Sequence, residues 1–169
     1  MRVIAFLLFS IATSVAAHPH VQLFYQVEPV LDSGQVTGLR VLWRMDRMTS
    51  MLVAPRNAAF AAENRGLPEY FTYLSDAEQP VGFTIATPLR AEIDEDGVAL
   101  RFELRLAAPV APERLGVRFF DASWYVALIA AEPVLAGSAP CSASFRTSLL
   151  ATHGWGAQAV PTIAFACKP

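Results

Sequence analysis

Hydrophobic and polar residues alternate along much of the chain, which is the pattern of half-buried β-strands. The alternation starts just after residue 20 and predicts a strand whose inner face carries four residues, Val21, Leu23, Tyr25 and Val27. A turn at 32–35 leads to a second predicted strand at 36–45, with Leu39, Val41 and Trp43 on one side. The two strands predict a β-hairpin.

Strand patterns resume after residue 70 and continue to the end of the chain. They are separated by turn residues such as Pro88, Pro109 and Pro112. The predicted strands are 70–74, 81–85, 89–93, 98–106, 115–120, 124–129, 143–149 and 160–166. Short strands at this spacing are typical of an antiparallel β-sandwich, here immunoglobulin-like. No repeat or linker divides the pattern, so we expect one domain.

A short helical insertion is predicted between the second and third strands. Asp46 is placed as the N-cap of a helix, and Met48 and Met51 recur at helical spacing inside it. A second helical segment begins at Pro55 and ends at Gly66. The thioethers of Met45, Met48 and Met51 suggest copper(I) binding, but methionines at this spacing favour packing in the core, and that is our expectation for all three.

The N-terminus has the three regions of a secretory signal peptide. Arg2 is the only charge in residues 1–17, and 13 of these 17 residues are hydrophobic. The residues Val15-Ala16-Ala17 favour cleavage before His18, although a cut before Ala17 is also compatible. We therefore expect a signal peptide at 1–17 and a single β-rich periplasmic domain at 18–169, without a membrane span.

Export changes the expected chemistry of the two cysteines, Cys141 and Cys167. In an oxidising compartment they can form one intramolecular disulfide, which would contribute about 3–4 kcal/mol in the chain-entropy model. Metal ligation or redox exchange is the alternative, but the C-x-x-C spacing typical of such sites is absent from the sequence.

Composition argues against several classes of function. The chain is 54% hydrophobic and 17% charged, with a formal net charge of −2, and it has no basic cluster of the kind that nucleic-acid binding requires. The sequence also contains no nucleophile elbow, phosphate loop or H-E-x-x-H motif. We expect neither an enzyme nor a nucleic-acid partner.

The most specific chemistry in the sequence is His18-Pro19-His20 at the predicted new N-terminus. Cleavage before His18 would let its free amine and imidazole chelate one metal ion, with His20 supplying a third nitrogen. Pro19 has no N–H to lose, which blocks the mode that uses deprotonated backbone amides. Imidazole suits nickel, zinc and copper alike, so these ligands do not select the metal.

Two aspartates are candidates to complete the metal site, and each has a structural alternative. Asp46 follows the second strand, where an N-cap role is the simpler interpretation. Asp121 precedes Ser123 in a turn, where aspartate commonly accepts hydrogen bonds from its own backbone. His153 is a third candidate, but it lies between small residues and is expected to be an exposed loop histidine.

Several motifs together resemble the bacterial family called domain of unknown function 1007. They are the start at 17–21, Trp43-Arg44-Met45-Asp46, the segment 70–74, the segment 120–126 and the late cysteine pair. The resemblance implies an exported component of an uncharacterised ABC-type transport system, encoded beside nickel/cobalt permeases. Many relatives carry an aspartate-rich insert where this chain has 54–57 without acidic residues. The matching candidate ligands are His18, His20, Asp46 and Asp121.

The leading hypothesis is a periplasmic accessory protein that exchanges a divalent transition metal ion with an inner-membrane transporter or permease. The alternative is a metal-independent β-sandwich interaction module that docks a membrane transporter through an apolar surface. A third, weaker hypothesis is a copper oxidase with a histidine brace.

Overall fold

Strands dominate a computed structural model of the chain, which describes residues 21–123, 125–135, 140–152 and 156–168. The strands of these residues are β1 (Val21–Asp32), β2 (Gln35–Met45), β3 (Thr72–Asp76), β4 (Gln79–Pro80), β5 (Phe83–Asp94), β6 (Gly97–Val110), β7 (Leu115–Phe119), β8 (Val126–Leu135), β9 (Cys141–Thr152) and β10 (Gly156–Cys167). They form two five-stranded sheets, in the orders β5-β6-β2-β1-β8 and β4-β3-β7-β10-β9.

All helices of the described residues fall between β2 and β3. They are α1 (Arg47–Val53), a 3-10 turn (Ala54–Arg56), α2 (Asn57–Glu63) and α3 (Leu67–Phe71). Across the described ranges, none of the helices has the length and apolar character needed to cross a membrane.

The first sheet has β1 near its centre. β1 pairs with β2 in antiparallel orientation, but it pairs with β8 in parallel, with Val21 opposite Val126. All other strand pairs in the part of the chain that the structure describes are antiparallel. Among the described strands, the parallel pair is the one departure from the predicted antiparallel pattern.

Aromatic side chains from both sheets meet in a common core. The ring centroids of Tyr25 in β1 and Phe119 in β7 are 4.8 Å apart, and Trp43 lies 4.6 Å from Phe102 and 5.8 Å from Phe119. Trp43 is fully buried, and Tyr25 is 1% exposed. The predicted β-sandwich with a short helical insertion is therefore confirmed.

The predicted hairpin between the first two strands is also confirmed. Asp32 is paired with Gln35, and the two residues between them, Ser33 and Gly34, have φ of 51° and 78°. Two consecutive positive φ values match the right-handed twist of a tight hairpin, and glycine adopts such a conformation without steric cost.

Several predicted boundaries are wrong, and one of them is Pro109, which was predicted to mark a turn but lies inside β6. Tyr70 and Phe71, predicted to begin a strand, belong to α3, which has Pro68 in its first turn. Pro88, predicted to be a turn, lies inside the continuous strand β5, within the register shift between Thr87 and Arg90. Because β5 is at the edge of its sheet, irregular pairing there tolerates a proline without an N–H donor.

The expectation that Met48 and Met51 pack in the core is wrong. The buried residues of α1 are Ser50 and Val53, whereas Met48 is 71% and Met51 is 66% exposed. The Ser50 hydroxyl donates to the Met45 carbonyl and accepts from the Val98 N–H at 3.0 Å. These contacts turn the opposite face of α1, with both methionines, towards solvent.

The predicted disulfide is confirmed. Cys141 and Cys167 are bonded, and they are also register partners at one end of the β9–β10 ladder. The bond therefore joins the first residue of β9 to the last residue of β10 and closes the segment between them.

Candidate functional site

Asp46 lies at the junction of β1, β2 and α1. Its Oδ1 accepts from the Thr49 N–H at 2.9 Å, which is the predicted N-cap contact. Its Oδ2 accepts from the Thr49 hydroxyl at 2.6 Å and from the Gln22 N–H at 3.1 Å. The Asp46 N–H in turn donates to the Gln22 carbonyl at 3.0 Å. One residue therefore fixes both the start of α1 and the start of β1.

These hydrogen bonds also set the charge of the Asp46 carboxylate. Partial burial opposes ionisation, but donors from Thr49, Gln22 and Met48 outweigh that effect, so the pKa of Asp46 lies below its ordinary value. Asp46 therefore remains an anion at neutral pH.

Asp121 has a similar role on the other side of β1. It is 2% exposed, and its Oδ1 accepts from both the N–H and the hydroxyl of Ser123, at 2.8 and 2.7 Å. Its Oδ2 accepts from the Val126 N–H at 2.8 Å. Val126 begins β8 and lies opposite Val21. The expected turn contacts are therefore present, and they hold the strand that flanks the start of β1.

The structure thus brings Asp46 and Asp121 to the same end of β1. Asp46 stands on the β2 side and Asp121 on the β8 side. His18 and His20, the other predicted ligands, lie outside the described residues.

Hydrogen bonds from the protein occupy most of the acceptor positions of both carboxylates. A carboxylate has about four acceptor positions. Asp46 accepts from the Thr49 N–H and hydroxyl, from Gln22 and from Met48, and Asp121 accepts three hydrogen bonds from Ser123 and Val126. Among the residues that the structure describes, no group of three or more histidine, cysteine, aspartate or glutamate side chains could hold a metal ion.

A pocket of about 350 Å³ opens beside the start of β1, and we call it the strand-entrance pocket. Val21 and Asp121 line it together with side chains from the helical insertion and the turn before β8. Tyr70 and Tyr125, which are 49% and 55% exposed, contribute aromatic surface. Leu23 and other core residues make most of its wall apolar. The pocket combines aromatic rings with one buried carboxylate.

Sequence reasoning missed the contribution of the helical insertion to this pocket. Phe60, Asn64, Leu67 and Tyr70 all line it, from α2, α3 and the turn between them. Proline after Gly66 was an available signal, because proline favours the first turn of a helix and would have moved Tyr70 from a strand to α3.

The two sheets, the insertion and the pocket define a β-sandwich protein with a helical insertion beside the start of its first strand. The chain belongs to the family described as "Protein of unknown function (DUF1007)", whose model matches residues 3–151. It is also 28% identical over 134 residues to an uncharacterised protein of Haemophilus influenzae. That match covers 70% of this chain and 65% of the relative, so it spans less than two thirds of the relative's length.

Proposed function

We propose that the protein is a periplasmic accessory of transition-metal transport, which binds a divalent nickel, cobalt, zinc or copper ion at its N-terminal His-Pro-His. In this proposal His18 supplies its amine and imidazole, His20 supplies an imidazole, and Asp46 or Asp121 completes the ligand set. The ion is exchanged with an inner-membrane transporter or permease. The exchange with a transporter is proposed from the family resemblance.

The observation that carries the proposal is the position of the two aspartates at the start of β1. Gln22 is hydrogen-bonded to Asp46, and Val21 lies opposite Val126, whose N–H is bonded to Asp121. In the sequence, His20 directly precedes Val21. An anchored strand start lowers the entropy lost when ligands just before it are ordered around an ion.

The charges at this end of β1 also support the proposal. Asp46 is anionic at neutral pH, as an aspartate with an ordinary or a lowered pKa is, and a histidine imidazole with an ordinary pKa of about 6.5 is mostly neutral there. Metal binding requires neutral imidazole and is favoured by a nearby anion. We therefore expect affinity to fall as the pH drops below about 6.5, through protonation of the histidines.

The role of the terminal amine is tested by changing what precedes His18. N-terminal sequencing of the exported protein first identifies the cleavage site. Calorimetry with nickel, cobalt, copper and zinc then compares protein that begins at His18 with protein carrying two extra residues before it. We expect weaker binding by the extended protein. Equal affinities would contradict the chelating role of the amine.

The imidazoles are tested with a matched histidine control. The variant His18→Ala/His20→Ala is expected to lose metal binding, whereas His153→Ala, which removes the third histidine of the chain, retains it. Elemental analysis of wild-type protein purified from its own periplasm identifies the metal. Retained binding by the double variant would contradict the site.

The alternative function is a metal-independent interaction module for a membrane transporter. It is favoured by β9, which lies at an end of the second sheet and exposes Phe145 by 50% and Leu149 by 72%. Edge strands with apolar side chains are common docking sites. Full rescue of a deletion strain by the His18→Ala/His20→Ala variant would favour this function over metal binding.

A further inference from the structure

The outer face of α1 carries two methionines in an unusual environment. Met48 and Met51 are 71% and 66% exposed, whereas Met45, three residues before Met48, is 4% exposed. Positions i and i+3 are neighbours on a helix, with Cβ atoms about 5–6 Å apart. The two thioethers therefore share one solvent-facing surface of the helix.

The core does not account for these two side chains. Ser50 and Val53 occupy the inner face of α1. The Ser50 hydroxyl donates a hydrogen bond to the Met45 carbonyl and accepts one from the Val98 N–H. An exposed methionine side chain does not contribute the free energy of apolar burial that a buried methionine contributes. What the two positions share is a pair of polarisable sulfur atoms in contact with solvent.

α1 is also firmly held, although it is short. Its first turn is capped by Asp46, which accepts from the Thr49 N–H and hydroxyl, and its last residue, Val53, is buried. The methionine backbones are therefore positioned by contacts on the opposite face of the helix. A helix held in this way keeps the two sulfur-bearing side chains on one face before any ion binds.

We propose that Met48 and Met51 form a thioether site for copper(I). Soft thioether donors favour this monovalent ion over nickel, cobalt or zinc, and neutral donors need no compensating charge when the ion is absent. The site differs in donors and in metal preference from the His-Pro-His site, although its use in metal handling rests on the proposed function. Through Asp46 and Gln22, α1 is tied to the strand that follows His-Pro-His.

Silver(I) is the probe, because it is a soft monovalent ion that does not change oxidation state during a titration. In chloride-free buffer, the exported protein is titrated while the methionine methyl groups are followed by carbon-13 NMR. We expect the methyl signals of Met48 and Met51 to shift and that of buried Met45 to stay in place. Absence of a shift at Met48 and Met51 would overturn the proposal.

Two variants test whether silver(I) binding depends on the sulfur atoms or only on an apolar surface. Met48→Leu/Met51→Leu preserves size and helix propensity on an exposed face. The comparison is made in the His18→Ala/His20→Ala background, because imidazoles also bind silver(I), and there we expect the two methionine substitutions to weaken silver(I) binding about tenfold or more. Leu52→Ala removes a neighbouring side chain that is 73% exposed but has no sulfur, and it should leave the affinity unchanged. Unchanged silver affinity in the double methionine variant would overturn the proposal.

The same titrations distinguish this site from the His-Pro-His site. If nickel affinity is unchanged in His18→Ala/His20→Ala, the proposed function fails, but a silver response at Met48 and Met51 still supports the thioether site. If nickel binding depends on the histidines while the methionine substitutions leave silver affinity unchanged in that background, the thioether site fails alone. Competition with a copper(I) chelator under anaerobic reducing conditions then extends the silver result to copper(I).

Discussion

Asp46 and Gln22 are joined by two hydrogen bonds that run in opposite directions. The Asp46 N–H donates to the Gln22 carbonyl at 3.0 Å, and the Gln22 N–H donates to the Asp46 carboxylate at 3.1 Å. The same carboxylate caps α1 through Thr49. Asp46 therefore has two roles. It caps the neighbouring helix α1, and it makes the long-range contact with Gln22 that fixes the start of β1.

Replacement of Asp46 by alanine tests this double role. Asp46→Ala should lower the free energy of unfolding by about 1–2 kcal/mol, because the helix cap and the bond to Gln22 are both lost. Chemical denaturation measures the loss, and faster hydrogen exchange at the Gln22 amide would place it at the start of β1. Asp32→Ala, at an exposed hairpin turn, is the control and should change stability by less than about 0.5 kcal/mol. An unaltered exchange rate at Gln22 would contradict the anchoring role.

The lowered pKa of Asp46 predicts a dependence of stability on pH. A carboxyl whose pKa is lower in the folded than in the unfolded state stabilises the fold above its unfolded pKa, about 3.9 for aspartate, and loses that contribution as pH falls through the folded value. The stability difference between wild type and Asp46→Asn should therefore be constant near neutral pH and shrink below about pH 4. Denaturation curves across this range measure it. A difference that stays constant down to pH 2 would contradict the lowered pKa.

Replacing the buried Asp121 by asparagine should lower the free energy of unfolding more than the same replacement of a surface aspartate. In Asp121→Asn, a buried acceptor of the Ser123 or Val126 N–H is replaced by an NH2 donor, which should cost about 1–3 kcal/mol. Denaturation and hydrogen exchange at Val126 measure the effect on β8. The control is Asp76→Asn, since Asp76 pairs with the largely exposed Arg114 and such surface pairs contribute about 0–1 kcal/mol. Equal costs in the two variants would contradict the role given to Asp121.

Two phenylalanines provide a matched test of the core. Phe119 is 2% exposed and contacts Tyr25 and Trp43 across the two sheets, whereas Phe145 is 50% exposed on β9. Phe119→Ala should cost about 3–5 kcal/mol of unfolding free energy, and Phe145→Ala about 0.5 kcal/mol or less. Thermal or chemical denaturation compares them. Similar costs would mean that the two sheets are not held by this aromatic cluster.

Local patterns predicted the parts of the fold that depend on neighbouring residues. Alternation in β1 identified Leu23, Tyr25 and Val27 as buried, and the position of Asp46 before a helical pattern identified its cap. These features follow from strand geometry and from the unsatisfied N–H groups at a helix start, both of which act over a few residues.

Local sequence patterns could not predict the features that depend on contacts between residues distant in sequence. The spacing of Met48 and Met51 showed that they share a helix face, but not that Ser50 and Val53 would occupy the face towards the sheet. The parallel pairing of β1 with β8, and hence the place of Asp121 beside Val21, depends on contacts about a hundred residues apart. The pocket beside β1 depends on the same long-range contacts.

The Cys141–Cys167 bond should stabilise the fold chiefly by restricting the unfolded chain. It closes a segment with a sequence separation of 26, for which loop-closure entropy gives a contribution of about 3–4 kcal/mol. We expect Cys141→Ser/Cys167→Ser to melt well below the oxidised wild type. Because the two strands remain paired over twelve register positions, the double variant should still fold. The matched control is wild type in a thiol reductant, which should melt close to the double variant, while the variant itself should not respond to reductant. A wild type whose melting temperature is unchanged by verified reduction would contradict a stabilising role for the disulfide.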